Sequence, residues 1–216
     1  MRIDVFTLIP GAFAWLHERR PVAAVLGTEL DLRILNYRDS TPLSAGQVDD
    51  EPYGGGPGMV LRVDVVAAAF DAVYGGQPEH RVVALTPAGR QLDQELVEEL
   101  AEEPALTILS ARFEGFDQRI LDHLCTDLVS IGPYVLSGGE IPALALVDAV
   151  VRRLPGALTE GSGDEESFSA ALDGGLEYPH YTRPAEFRGW TVPEILRSGD
   201  HGRIDTWRRE QVRSVT

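Results

Sequence analysis

The sequence predicts an α/β domain on a mostly parallel sheet, followed by a small helical unit. Three observations carry that reading. Short apolar, β-branched runs alternate with helical patterns from Ile3 to Leu154, as strands joined by crossover helices do. The glycine-rich segments fall where those runs end. From Gly161 to Gly175 the alternation stops, and Gly, Ser and acidic residues dominate, the composition of a flexible linker.

The first strand covers Ile3 to Leu8, and Pro10-Gly11 ends it. Leu30 to Asn36 reads as the second strand, Val82 to Leu85 as the third, Ala105 to Leu109 as the fourth and Leu128 to Ile131 as the fifth. Between them, Val63 to Val73 is an alanine-rich apolar helix, Leu92 to Ala101 an acidic amphipathic one and Asp117 to Leu124 a short one. Pro142 to Leu154 is strongly apolar, with proline in the first turn, where its missing N–H is not needed. Beyond the linker, helices are expected at Val192–Arg197 and Gly202–Val212. The chain thus divides into residues 1–160, a linker at 161–175 and a unit at 176–216.

Hydrophobic residues make up 44% of the 216, enough for a packed core and too many for a disordered chain. The opening Met1-Arg2-Ile3-Asp4-Val5-Phe6 reads as a strand and not as a signal peptide. No apolar stretch is long enough to span a bilayer. The single cysteine, Cys125, excludes an intramolecular disulfide or a cysteine zinc cluster and reads as a small core residue. A cytoplasmic location without membrane association is expected.

The formal charge of −15 opposes phosphate binding taken alone. Its distribution qualifies this. The chain has no lysine, and seven of its nineteen arginines lie between Tyr181 and Thr216 against five acids. That stretch carries a surplus of two positive charges, leaving −17 for the rest. It is the candidate RNA-facing surface, although an ordinary helix with solvated arginines has the same composition.

Two glycine-rich loops stand out. Tyr53-Gly54-Gly55-Gly56-Pro57-Gly58-Met59 follows Val48 to Pro52. It lacks the dinucleotide fingerprint, and the chain has no lysine for a phosphate-binding loop. Ile131-Gly132-Pro133-Tyr134-Val135-Leu136-Ser137-Gly138-Gly139-Glu140 joins a buried strand to an apolar helix. Its backbone groups suit a planar base edge, and Tyr134, Val135 and Leu136 suit apolar walls. Leu85-Thr86-Pro87-Ala88-Gly89 and Ser110 to Arg119 each follow a strand. Three such loops can converge on one ligand beyond the carboxyl ends of a parallel sheet. Glu114 suits a hydroxyl or ammonium group there. Arg112, Asp117 and Arg119 read equally well as a structural ion-pair cluster.

These segments, in this order and near this spacing, resemble the bacterial tRNA (guanine-N1)-methyltransferases. Tyr178-Pro179-His180-Tyr181-Thr182-Arg183-Pro184, Val192 to His201 and Trp207-Arg208-Arg209 extend the likeness from Met1 to about Gln211. The resemblance implies a SPOUT-type parallel sheet with a deep trefoil knot, and a small helical tRNA-binding domain. It also implies a homodimer whose active site lies between subunits, and S-adenosylmethionine as methyl donor. The reaction implied is methyl transfer to N1 of the guanosine on the 3′ side of the anticodon, position 37 of tRNA. A Mg2+ requirement is suggested by the family, while no carboxylate cluster in the sequence marks a metal site.

Carried onto this chain, the cofactor pocket comprises Leu85, Thr86, Pro87, Phe113, Glu114, Ser130, Ile131, Gly132, Tyr134, Val135, Leu136, Gly138, Gly139 and Pro142. The residues facing tRNA are Asp50, Gly55, Gly56, His180, Arg183, Ser198, Gly199, His201 and Arg208. Arg152 matches the family's catalytic arginine, and Glu166, just before Ser167-Phe168, stands where the family has its general base. His17, His80, His123 and His201 receive no catalytic role.

Guanine N1 carries a proton at neutral pH, so a nearby carboxylate must accept it during attack. A guanidinium can stabilise the charge that builds on O6. Glu166 and Arg152 are assigned those roles. The chain departs from the family in four places. Glu166 replaces an aspartate, Ala111 a glycine and Pro133 an aspartate, and the chain stops soon after Gln211, where relatives continue with a basic stretch. Asp164 is the alternative base. A catalytically weakened or non-catalytic RNA-binding relative of the same fold is the alternative function.

Overall fold

The computed structural model describes residues 1–163 and 165–214, so Asp164 lies outside the described residues. The chain forms two compact units, Met1–Leu158 and Thr159–Thr216.

The first unit begins with strand β1 (Arg2–Thr7), a 3-10 turn at Pro10–Phe13, and two short helices, α1 (Ala14–Glu18) and α2 (Val22–Val25). Strand β2 (Asp31–Asn36) follows, then a small antiparallel pair, β3 (Asp49–Asp50) with β4 (Val60–Leu61). The rest alternates: α3 (Val63–Tyr74), β5 (Arg81–Gln91), α4 (Gln94–Ala101), β6 (Ala105–Leu109), α5 (Gln118–His123), β7 (Asp127–Ser130) and α6 (Glu140–Val151). The main sheet has the order β2-β1-β6-β5-β7, and every pairing in it is parallel. Each of the five strands expected from sequence is present.

Buried residues form one layer of core on each side of this sheet. Ile3, Val5, Val83 and Leu85 pack with Phe13, Leu16, Leu96, Leu100, Leu146 and Val150. Phe6, Val82 and Ala84, one step out of phase, pack with Val65, Val66, Phe70 and Ile120. Alternation along a strand sends neighbours to opposite faces. Both faces are therefore apolar, which explains the near-continuous hydrophobic runs. Local chemistry sets the helix ends. Gly75, at φ +76, closes α3, and the Asp93 carboxylate accepts from Leu96 N–H at 2.9 Å to open α4.

In the first unit, two of the expected elements differ in extent. The third strand does not end at Leu85: both Leu85 and Arg90 pair with Val129, so residues 86–89 loop out as a bulge before the strand resumes. Pro87 has no N–H for the ladder, and the chain re-enters through Gly89. Helix α6 starts at Glu140, before Pro142, and ends at Val151.

Asp4 is fully buried yet well partnered. Arg33 donates to it through Nε and Nη2 at 2.5 and 2.6 Å, and the Tyr74 hydroxyl does so at 2.8 Å. Burial pushes the Tyr74 hydroxyl above its ordinary value. Cys125 sits at the edge of the second core layer, and burial, helped by Asp127, pushes its thiol up to about 12. Alkylation of Cys125 by iodoacetamide at pH 8 should therefore be on the order of a hundredfold slower in the native protein than in urea. Equal rates would show an open thiol.

In the second unit, a 3-10 turn at Ala170–Leu172 precedes a hairpin of β8 (Glu186–Phe187) and β9 (Trp190–Thr191). A 3-10 turn at Glu194–Arg197 and helix α7 (His201–Gln211) complete it. Leu172, Tyr178 and Ile204 are its buried hydrophobic side chains among the described residues. Leu176 N–H donates to the Arg213 carbonyl at 2.8 Å, tying the segment after the 3-10 turn to the residues that follow α7. The helix expected at Val192–Arg197 forms only as the short turn. Val192 precedes proline, which favours extended backbone, and it donates to the Ala185 carbonyl at 3.0 Å, continuing the hairpin. Among the described residues, no helix is long and apolar enough to cross a membrane.

Candidate active site

A cleft opens beyond the carboxyl ends of β6 and β7 and where β5 breaks after Leu85, the side on which ligands gather in parallel α/β sheets. Three segments wall it: residues 85–87 at the start of the bulge, residues 111–115 after β6, and most of residues 131–139 between β7 and α6. The cleft is open to solvent. Every residue assigned above to the cofactor pocket lines it.

The segments are held at close quarters. Gly139 N–H donates to the Ala111 carbonyl at 2.7 Å. A Cβ on Gly139 would lie 2.8 Å from Ser110 Cα and 2.9 Å from Ala111 N. In the bulge, a Cβ on Gly89 would lie 2.4 Å from the Leu128 carbonyl carbon and Val129 N. The tyrosine-glycine loop joins from the side: Glu114 N–H donates to the Met59 carbonyl at 2.9 Å, and a Cβ on Gly58 would sit 2.4 Å from Glu114 Oε1. Tyr134 folds back, its hydroxyl donating to the Ile131 carbonyl at 3.2 Å.

Arg112 and Glu114 are the charged side chains of the lining. The cleft therefore offers one cation and one anion, two residues apart, among apolar walls and exposed backbone. Arg112 does not join Asp117. It reaches Glu140, whose Oε2 lies 3.6 Å from Arg112 Nη1. Glu140 is itself buried and its Oε1 accepts from the Thr7 hydroxyl at 3.2 Å. Asp117 instead accepts from Arg119 N–H at 2.9 Å at the start of α5 and pairs with the same residue's guanidinium at 2.7 Å. Beside the expected residues, Ala111, Arg112, Gly115 and Val129 also line the cleft. No sequence signal marks Glu140 as buried, because an acid in a helix's first turn usually faces water.

The remaining assigned residues lie elsewhere. Asp50 is exposed on β3 and paired with Arg62 at 2.8 Å. Gly55 and Gly56, at φ +75 and +130, sit in the exposed loop beside Glu114. Arg152 caps the carboxyl end of α6, its N–H donating to the Asp148 carbonyl at 3.1 Å. Its charge partly offsets the burial that raises the Asp148 carboxyl above its ordinary value. Because Pro142, near the start of α6, lines the cleft, Arg152 stands ten residues further on, about 15 Å along the helix axis at ~1.5 Å per residue.

In the second unit, Glu166 is half-buried, with its carbonyl accepting from Ser169 N–H at 3.0 Å. His180 is exposed, 2.8 Å from Glu177, and Arg183 is exposed ahead of Pro184. The Ser198 hydroxyl donates to the Ile195 carbonyl at 2.7 Å. Gly199, at φ +75, then leads into the Asp200 cap that places His201 first in α7. Arg208 lies over the Tyr178 ring at 5.0 Å. Among the described residues, no three His, Cys, Asp or Glu side chains converge as metal ligands.

Fold and cleft together define a parallel α/β protein with a small-molecule site built from strand-end loops. The family model described as tRNA (Guanine-1)-methyltransferase TrmD matches residues 1–216. The chain is similar to a tRNA (guanine-N(1)-)-methyltransferase of Exiguobacterium sibiricum, 48% identical over 98% of this chain and 86% of that protein. One from Rhodopseudomonas palustris is 50% identical over 100% and 85%, and one from Lactiplantibacillus plantarum 47% identical over 98% and 85%. The chain belongs to the tRNA (guanine-1)-methyltransferase family.

Proposed function

We propose that this chain is a tRNA (guanine-N1)-methyltransferase that uses S-adenosylmethionine to methylate N1 of the guanosine at position 37, on the 3′ side of the anticodon. The observation that carries this is one cleft, at the strand ends, lined by every residue that the family likeness assigns to the cofactor. The chemistry of the lining fits that group. Arg112 and Glu114 match a zwitterionic amino-acid end, while Leu85, Tyr134 and Leu136, with the backbone of residues 131–139, suit a flat base.

When bound, the cofactor supplies an electrophilic methyl group. The chain's part is to position the guanine, accept a proton and stabilise charge. The Glu166 carboxylate takes the N1 proton as attack proceeds, and the Arg152 guanidinium faces the charge that develops on O6. The place of Arg152, far along α6 from the cleft, supports a homodimer in which a second copy completes the site. The trefoil knot belongs to the same reading, as do three roles along the chain: cofactor domain at 1–160, base-bearing linker at 161–175 and tRNA-binding unit at 176–216. Asp50, Gly55, Gly56, His180, Arg183, Ser198, Gly199, His201 and Arg208 contact tRNA in this reading, and the enzyme works in the cytoplasm.

The test is methylation of a tRNA transcript with guanosine 3′ of its anticodon, with and without Mg2+, followed by digestion and identification of the base. The expected product is 1-methylguanine. A folded, dimeric protein that methylates nothing, or another base, would overturn the reading.

A further inference from the structure

The β8–β9 hairpin carries side chains that neither the cleft nor the core uses. Phe187 pairs with Trp190 across it, and Glu186 with Thr191. Arg188 and Gly189 make the turn at φ +53 and +82, the two left-handed residues of a type I′ connection. Directly opposed residues share one face of a ribbon. The two rings accordingly lie together, centroids 5.9 Å apart at 59°. A two-stranded ribbon is marginal in water unless something covers it. Here the aromatic face is open, with Phe187 52% and Trp190 70% exposed.

The turn adds charge. The Arg188 guanidinium lies 5.1 Å from the Phe187 ring centroid, and no carboxylate forms a salt bridge with it among the described residues. Two open rings beside such a guanidinium call for a partner that is flat on one side and anionic on the other. An unpaired nucleotide has that chemistry: its base stacks on aromatic rings and its phosphate meets arginine. An apolar protein surface would use the rings but desolvate the charge. The hairpin also lies within the Tyr181–Thr216 stretch, where arginines outnumber acids.

We propose that Phe187, Trp190 and Arg188 form a stacking site for one unpaired base of the tRNA substrate, with Arg188 on its phosphate. The inference rests on the tRNA-methyltransferase reading above. The experiment measures tRNA binding, S-adenosylmethionine binding and dimer mass for wild type, Phe187→Ala, Trp190→Ala, Trp190→Phe and Arg188→Ala. Each aromatic-to-alanine change should weaken tRNA binding roughly 5- to 150-fold. Trp190→Phe should largely restore it, Arg188→Ala should reduce its salt dependence, and cofactor affinity should not change. Alanine variants that bind tRNA like an active wild type would overturn the inference and leave the enzyme reading intact. Loss of dimer mass with unchanged tRNA affinity per dimer would also overturn it, by making the face a contact between copies. A wild type that neither binds nor methylates tRNA would remove both.

Discussion

Glu166→Gln is expected to lower kcat for tRNA methylation by about 10²–10⁴-fold, the range for a lost general base. S-adenosylmethionine affinity and the unfolding midpoint should stay near wild type. Glutamine keeps the size and hydrogen-bonding reach of the side chain but cannot accept the N1 proton, so the substitution separates proton transfer from positioning. Glu166→Asp introduces the residue that the family resemblance implies at this position and should remain active. The side chain is one methylene shorter on a backbone set for glutamate, and a misplacement of about an ångström can cost on the order of a hundredfold, so its rate should fall between wild type and Glu166→Gln. Arg152→Ala should lower kcat by roughly 10²–10³-fold, as loss of one electrostatic donor does. Mixing inactive Glu166→Gln with inactive Arg152→Ala chains tests whether the two residues act from different subunits. Single-turnover rates and cofactor titrations read these outcomes. A Glu166→Gln enzyme with wild-type kcat would move the base elsewhere.

Gly89→Ala should destabilise the first unit by about 3 kcal/mol or more, at or above the usual range for overpacking. At this chain length that lowers Tm by roughly 6–12 °C. The cause is space and not a left-handed backbone: the added Cβ would stand 2.4 Å from main-chain atoms of Leu128 and Val129, and backbone cannot rotate away as a side chain would. Relief requires β5 and β7 to part, and these strands lead into the 85–87 and 131–139 walls of the cleft. S-adenosylmethionine affinity should therefore fall together with stability. Gly76→Ala is the control: Gly76 has nothing within 4 Å of its Cβ position, and its own cost reflects only its φ of +151. Thermal unfolding and cofactor titration of both variants test this, and a Gly89→Ala protein as stable as wild type would show that the bulge is not pinned against β7.

The strands were legible because burial on both faces leaves continuous β-branched runs, as at Ile3–Phe6 and Val82–Leu85. The helices were legible from periodicity, as at Leu92–Ala101, while the Asp93 cap sets the start of α4 at Gln94. The 86–89 bulge was not. Leu85 and Arg90 pair with one residue, Val129, and no local rule says that a strand interrupted by Pro87 will return to the same neighbour. The hairpin was also missed. Val192-Pro193-Glu194-Ile195-Leu196-Arg197 has helical spacing, but Val192 is drawn into the ribbon through Ala185.

By itself, the sequence determined the alternation of strands and helices and the loops at strand ends, which are local matters of periodicity and backbone freedom. The residues assigned to the cleft came through the family resemblance of its ordered motifs. Only the tertiary structure decided that Arg112 answers to Glu140 and not to Asp117, that Glu140 and Asp4 are buried charges, and that Gly89 and Gly139 are glycine because backbone passes within van der Waals distance. These depend on which distant segments meet. Burial and close approach are properties of the packed pair, and nothing in one segment's own composition records its partner.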